Sequence, residues 1–296
     1  TTTRTPIGRA GGTDLTGDTA AMGDMGDMGG TGGTGRGAGA RQATRTAEAQ
    51  LKAWFDGRGW TPASFQRTVW RHGLAGRSGL LVTPTGSGKT LAAMGATLLQ
   101  GLAEQAREEA ARERAAATGR GSALGRGAAK PAQAARTAQP VRATRRKAAA
   151  PSLPDADPAP PPPRLRLLWI TPLRALASDT VLALRRPIDD LGLPWTVALR
   201  SGDGTARDRR LIRQGRTDIL VTTPESLALL LSYPDLPERW LGLRHLVVDE
   251  WHELLGNKRG VLLQLCLARL RALAPGLVTW GLSATIGNLE QAREVL

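Results

Sequence analysis

The sequence predicts an α/β fold, a parallel sheet with helices on both faces, and three observations carry that expectation. Short apolar strands alternate with helical stretches from Arg164 to the end of the chain, the order that builds a parallel sheet. The strands are apolar runs, as expected where both faces of a sheet are covered. One strand, "SGLLV", runs directly into "TPTGSGKT" and a helix, the setting in which a loop cradles phosphate.

Residues 1–46 are rich in Gly and Thr and carry the short repeat "MGDMGDMGG". No helical or strand period is visible, so a disordered tail is expected there. The ordered domain is expected over 47–296. It opens with "AEAQLKAWFDGRGW", where Ala47, Leu51, Trp54 and Phe55 recur at helical spacing. A second helix, "PASFQRTVWRHGLAG", has Pro62 in its first turn and ends at glycine. After the "SGLLV" strand, a helix is expected from Lys89 to about Arg114. Residues 115–163 are a basic Pro/Ala/Arg-rich segment ending in "PAPPPP". It is far longer than connections in compact domains, so it is expected to be a disordered insertion leaving the fold. Then "LRLLWIT", "WTVAL", "DILVTT", "LRHLVVDE" and "GLVTWGLSAT" read as strands. "PLRALASDTVLALRRPIDDLG", "GTARDRRLIRQG", "PESLALLLS" and "RGVLLQLCLARLRALA" read as the helices between them. A short helix is expected to begin in "NLEQAREVL".

With 296 residues the chain suits one or two domains. Its one cysteine, Cys266, excludes an intrachain disulfide and a cysteine-built zinc site. That composition suits a reducing cytoplasm. No apolar run reaches the roughly 20 residues of a membrane span, and "TTTRTPIGRAGG" lacks the apolar core of a signal peptide. Net charge is +14, which suggests a polyanionic partner. Eight basic residues and no acidic one lie within 115–147, however. That stretch has no aromatic residue on which bases could stack, so a solvated insertion accounts for it as simply as DNA binding does.

Within "TPTGSGKT", the backbone N–H groups of Thr85, Gly86, Ser87 and Gly88 are expected to approach phosphates at a helix N-terminus. Lys89 is expected to reach the β- and γ-phosphates of ATP, and Thr90 to offer its hydroxyl to Mg²⁺. The first glycine of the general pattern is Thr83 here. A second feature completes the site: "LVVDEWHELLG" ends an apolar strand in two adjacent carboxylates, Asp249 and Glu250. Carboxylates are costly to bury there without a purpose. Beside a phosphate loop, Asp249 is expected to hold Mg²⁺ through water, and Glu250 to orient and deprotonate the attacking water. His252, two residues on, is placed to sense the γ-phosphate and to contact another motif.

The two halves together resemble a known pattern. "DEWH" looks like a DExH box, and "SAT" (Ser283, Ala284, Thr285) resembles superfamily 2 helicase motif III. "TPLRAL" resembles motif Ia, "TTPESL" motif Ib, "SGD" the element between them, and "GWTPASFQ" the adenine-reading Q motif. The wording of "TPLRALASDT", "LVTTPESLALLLS", "VVDEWHELLGNKRG" and "WGLSATIGNLE" is similar to the large helicase-related (Lhr) family. Trp251 points to its bacterial ligase-associated DExH-box branch. The resemblance covers about residues 54–99 and 164–296, and these motifs in this order are very specific.

The resemblance implies a RecA-like first helicase lobe and an ATP-dependent DNA helicase. It implies a translocase on single-stranded and partly duplex DNA, 3′-to-5′, acting in DNA repair, with other repair proteins as partners. It implies that Gln66 bonds the adenine edge, with Trp60 or Phe55 packing nearby. Pro172 and Arg174, Ser201, Gly202 and Asp203, and Thr223, Pro224 and Glu225 would grip the DNA backbone. Ser283, Ala284 and Thr285 would couple ATP state to that grip. A second lobe and further domains are expected beyond this chain, which leaves half an active site here. The alternatives are an RNA-unwinding DExH protein and a nucleotide-dependent nucleic-acid-binding module without turnover.

Trp70, Trp169, Trp195, Trp240 and Trp280 read as core or lobe-interface residues and Cys266 as a buried thiol. His72 and His245 have no partner spacing and are assigned no chemistry. Limited trypsin digestion is expected to cut within 115–163 first and to leave two fragments that stay associated. Protection of Arg136, Arg142 and Arg145 in the nucleic-acid-free protein would overturn the reading of that segment.

Overall fold

Six parallel strands form one sheet in the order β1-β6-β5-β2-β4-β3. They are β1 (Gly79–Val82), β2 (Leu167–Ile170), β3 (Val197–Arg200), β4 (Ile219–Thr222), β5 (His245–Val248) and β6 (Val278–Ser283). The computed structural model describes residues 34–124, 164–233 and 240–284. The expected tail over 1–33, the insertion over 125–163, Thr285 and the helix start at 288–296 lie outside the described residues.

The helices are α1 (Thr34–Asp56), α2 (Ser64–Leu74), α3 (Lys89–Leu124), α4 (Arg174–Asp190), α5 (Ala206–Arg213), α6 (Pro224–Ser232) and α7 (Lys258–Leu273). Two boundaries correct the sequence reading. Helix α1 begins at Thr34, inside the stretch expected to be a disordered tail. The reason is packing: Ala43, Ala47 and Leu51 form a buried stripe at helical spacing in one core cluster with Leu99, Leu102 and Ala103 of α3. Helix α3 runs on to Leu124, ten residues into the segment expected to leave the fold. Its continuation "AAATGRGSAL" opens with three alanines, the strongest helix formers. A short 3₁₀ turn over Trp251–Glu253 also follows β5, between the expected strand "LRHLVVDE" and the helix after it.

Alternation along the buried strands sorts the core into two layers. Leu167, Trp169, Val197, Leu199, Ile219, Val221, Val247, Val278, Trp280 and Leu282 pack with residues of α1–α4. Leu168, Ile170, Leu220, Leu246 and Val248 pack on the other face with residues of α6 and α7 and with Trp240 and Trp251. Helix α2 is locked to α3 by Trp70, whose indole N–H donates to the Leu91 carbonyl at 3.0 Å. A side chain on Gly95 would run into that indole, its Cβ 2.0 Å from Nε1. This contact carries the start of α2, and therefore Gln66, to the phosphate loop. Trp70, Trp169, Trp240 and Trp280 are buried and Trp195 is half-buried.

His245, at the start of β5, is buried, and its Nδ1 lies 3.0 Å from the Thr97 hydroxyl of α3. Burial pushes its pKa down from 6.5 to about 4. The ring is therefore neutral in the fold, whereas the unfolded chain takes up a proton below 6.5. This contribution is complete above that value and is lost as pH falls toward 4, a change of about 3 kcal/mol. Unfolding measured between pH 7 and pH 4 should show this loss, and His245→Asn should flatten it. An unchanged pH slope in the variant would assign the acid sensitivity elsewhere.

Candidate functional site

Parallel strands place all their C-terminal ends on one rim, the side where ligands bind in open α/β sheets. Strand order divides that rim. The loops after β1, β6 and β5 are neighbours and carry "TPTGSGKT", "SA" and "DEWH". The loops after β2, β4 and β3 are neighbours and carry the remaining motifs.

In the phosphate loop, Gly86 and Gly88 have φ of 80° and 93°, a region that costs other residues strain. Ser87 donates its hydroxyl to Thr83 Oγ1 at 2.9 Å, and Thr83 N–H donates to the Ser283 carbonyl at 3.1 Å. The Lys89 ammonium is buried and folds back on the Thr83 carbonyl at 3.2 Å. It is thus held inside the loop by a single neutral acceptor, which an incoming phosphate oxygen can replace. Thr90 is half-buried in the first turn of α3, beside Lys89.

Gln66 is almost wholly buried and its amide already has work. Its Oε1 accepts from Ala63 N–H at 2.9 Å, and its Nε2 donates to the Gly88 carbonyl at 3.1 Å. The amide therefore braces the loop, with one N–H and one lone pair left for a base. Phe55 belongs to the core, 2% exposed, which removes it as an adenine platform. Trp60 remains exposed at 46% and meets Trp54 and Phe55 edge-on.

Asp249 and Glu250 follow β5 directly. Asp249 N–H donates to the Ile170 carbonyl at 2.8 Å, extending the β2–β5 ladder past the strand end. Its Oδ1 accepts from Glu250 N–H at 3.0 Å, and its Oδ2 accepts from the Trp169 indole at 3.3 Å. Burial, and then the charge of Glu250, raise its pKa. The Glu250 N–H, the Trp169 indole and the Lys89 charge oppose that rise. Glu250 has φ 43° and ψ 51°, the one non-glycine with positive φ among the described residues. Such a conformation costs a side-chain-bearing residue roughly 1–2 kcal/mol, and it turns the chain abruptly out of the strand. Glu250 Oε2 is buried without a hydrogen-bond donor, 3.4 Å from His252 Nδ1. That same nitrogen lies 2.9 Å from Ser283 Oγ, so the histidine joins the loop after β5 to the end of β6. Ala284 follows at the rim, half-buried.

These groups fit a magnesium nucleotide. Among the described residues no three His, Cys, Asp or Glu side chains cluster as a metal cage. Magnesium sites of this kind instead use one or two carboxylates together with substrate phosphates. Asp249 and the Thr90 hydroxyl supply hard oxygen donors, and the unpartnered Glu250 oxygen suits a bound water.

On the other half of the rim the structure separates backbone turns from reachable groups. Ser201 is buried and its Oγ accepts from Asp203 N–H at 3.2 Å. Thr223 is fully buried and caps α6, accepting from Ser226 N–H at 3.4 Å and donating to Ser226 Oγ at 3.3 Å. Both hydroxyls bond within their own turns, which leaves the main-chain N–H groups and helix ends of these loops as the groups to meet a phosphate. Pro172 and Pro224 are also buried. Arg174, Gly202, Asp203 and Glu225 are exposed. The Arg174 guanidinium lies against Gly202, 3.3 Å from where a Cβ would stand. The loops after β2 and β3 therefore meet across the intervening strand. Glu225 is not free: it forms a two-pronged pair with Arg259 of α7, with Arg259 Nη2 3.2 Å from Oε2. The hydrogen bond from Arg259 holds the Glu225 carboxyl down at about 2.

Sequence reasoning missed Trp169 and Arg259 as parts of this rim. Trp169 lies in a buried strand, where an indole reads as core. Arg259 follows Asn257, whose side chain accepts from Arg259 N–H at 2.9 Å and Gly260 N–H at 3.0 Å and so caps α7. Only that cap, visible as "GNKRG", hints that the arginine stands at a helix start.

The chain matches the model of the DEAD/DEAH box helicase family over residues 63–292. It is 38% identical over 138 residues to ATP-dependent helicase Lhr-Core protein 2 of Thermococcus barophilus, covering 43% of this chain and 16% of that protein. It is 30% identical over 259 residues to the Lhr helicase/probable uracil glycosylase of Mycolicibacterium smegmatis, covering 84% of this chain and 14% of that protein. The chain thus spans less than a fifth of the length of either relative. Among solved structures it is similar to the Mycobacterium smegmatis helicase Lhr bound to ssDNA and AMP-PNP. The TM-score is 0.56 and the identity 27%, covering 83% of this chain and 25% of that one. A six-stranded parallel sheet, a phosphate loop facing a DEWH turn, and the match over most of its length together show that the chain belongs to the DEAD/DEAH box helicase family.

Proposed function

We propose that this chain is the ATP-binding RecA-like lobe of an Lhr-type DNA helicase, a translocase on single-stranded and partly duplex DNA. The observation that carries the reading is the divided rim. The loops with "TPTGSGKT", "SA" and "DEWH" occupy one half of the strand ends and those with "TPLRAL", "SGD" and "TTPESL" the other, with β5 and β2 adjacent at the boundary. The similarity to a helicase Lhr bound to ssDNA and AMP-PNP supports DNA and ATP as the ligands. Action in DNA repair, 3′-to-5′ polarity, repair-protein partners and a cytoplasmic location rest on the resemblance to that branch. No helix among the described residues is long and apolar enough to cross a membrane.

On this reading Lys89 leaves the Thr83 carbonyl for the β- and γ-phosphates of ATP, and the amides of 85–88 enclose them. Bound Mg²⁺ supplies charge neutralisation on the phosphate oxygens. Glu250 takes the proton of the attacking water, and His252 relays the state of the γ-phosphate to Ser283. At the other half of the rim, Arg174 and the first-turn amides of α6 contact DNA phosphates, contacts that fix position and carry no sequence. Glu225 serves as the clamp that holds the start of α6 to α7.

Two substitutions test the nucleotide half. Lys89→Ala should abolish thermal stabilisation by Mg-ATP, which follows from ligand linkage, and leave the unliganded melting temperature unchanged. Stabilisation equal to wild type would remove Lys89 from the site. Glu250→Gln should preserve nucleotide affinity and ATP-dependent DNA binding. In a protein that joins this lobe to a second one, it should cut DNA-stimulated hydrolysis by about 10² to 10⁴. Full turnover by that variant would remove Glu250 as the base. Robust DNA-stimulated turnover by residues 1–296 alone would show that no second lobe is required. Equal stimulation by RNA and DNA would favour the RNA-unwinding alternative.

A further inference from the structure

Among the described residues, Trp169 is the large aromatic residue whose indole N–H is bonded to the Asp249 carboxylate. It lies in the middle of the sheet on β2, fully buried, and pairs in register with Val247 of β5. The backbone ladder carries Asp249 two positions beyond that pair, and Asp249 N–H donates to the Ile170 carbonyl at 2.8 Å. The indole therefore stands beside the place where the carboxylate leaves the strand. Its Nε1 is 3.3 Å from Asp249 Oδ2. The other oxygen, Oδ1, accepts from Glu250 N–H at 3.0 Å. One donor to each oxygen sets the plane of the carboxylate group.

An indole suits that task for chemical reasons. It donates and cannot accept, so it never competes for a proton or a metal. The rest of the ring is apolar and fits the core layer shared with Val247 and Leu167. A buried indole N–H also needs a partner, so each group satisfies the other. A phenylalanine would fill much of the same space and leave Oδ2 without its donor.

We propose that Trp169 is a positioning residue for magnesium: its indole N–H holds the Asp249 carboxylate in the orientation that receives the Mg²⁺ of the bound nucleotide. The proposal rests on the nucleotide-site reading above. The indole also stands at the seam of the rim, on the strand that continues into Pro172 and Arg174 of the nucleic-acid half. The carboxylate that serves ATP is thus oriented from the strand that leads to the other ligand.

The experiment titrates Mg²⁺ into residues 1–296 in the presence of a fluorescent ADP analogue, for wild type and Trp169→Phe. Binding in EDTA, without metal, should be the same for both. The Mg²⁺ concentration at half-maximal enhancement should rise about tenfold in the variant, the size expected when a ligand loses its supporting hydrogen bond. In an Asp249→Asn background the same change should add nothing, because the effect passes through the carboxylate. If Trp169→Phe does not fold, 3-benzothienylalanine at position 169 keeps the bicyclic shape and replaces only the N–H by sulfur. It should give the same Mg²⁺ shift. A Mg²⁺ titration that superimposes on wild type, or a shift of undiminished size in the Asp249→Asn background, overturns the proposal alone. Absence of Mg²⁺-dependent nucleotide binding in wild type overturns the nucleotide-site reading and this proposal with it.

Discussion

The carboxylate of Asp249 sits at the end of a strand buried along its whole length, in surroundings that disfavour its charge. Burying an ionised carboxylate without partners costs several kcal/mol, and the neighbouring parts of the fold are arranged around that cost. The Glu250 N–H and the Trp169 indole bind one oxygen each, and the Lys89 charge opposes the rise in pKa. The left-handed backbone at Glu250 carries the second carboxylate sharply away from the strand line. On the proposed reading, a divalent cation with a nucleotide phosphate would complete the compensation. The phosphate loop shows the reverse problem, a buried ammonium resting on one carbonyl. The two buried charges, one acidic and one basic, thus face each other across the ends of β1 and β5 with few protein partners.

Compensation of this kind needs strands from distant parts of the chain to end side by side. The order β1-β6-β5-β2-β4-β3 achieves it by bringing the first strand and the last together and placing β5 beside them. Thr83 N–H bonds the Ser283 carbonyl, and His252 reaches Ser283 Oγ. The three nucleotide motifs thereby share contacts although they span 200 residues of sequence. The same order groups the ends of β2, β4 and β3, where Arg174 lies against Gly202 and Glu225 clamps α6 to α7. A change at one half of the rim meets the other half through two connections, the β2–β5 seam and the α6–α7 clamp.

The residues of the phosphate loop and of the carboxylate pair were legible because their chemistry is local. A glycine-rich turn between strand and helix reads the same wherever it occurs, and two acids at the end of an apolar run demand a reason. The helices were legible for the same cause, through a period of 3.6 residues, and the strands as short apolar runs between turns. Local reading failed where a long-range contact overrode composition. Ala43 looks like tail until α3 provides a face for it. Phe55 and Trp60 are equal candidates to pack near Gln66 until the core claims Phe55, and the bonds of the Thr223 and Ser201 hydroxyls to their own turns appear only in the folded chain.

By itself, the sequence determined that this chain is an α/β nucleotide-binding lobe and which side chains are the candidates for phosphate chemistry. Those features depend on backbone geometry and side-chain type within a few residues. Only the tertiary structure decided which strands are neighbours, and with that which residues act together. Trp169 and Asp249 are 80 positions apart, Arg259 and Glu225 are 34 apart, and Gln66 and Gly88 are 22 apart. A hydrogen bond between residues so far apart leaves no period in either segment. It exists only because the sheet aligns the two strand ends, or because a helix contact such as Trp70 against Gly95 carries one turn onto another.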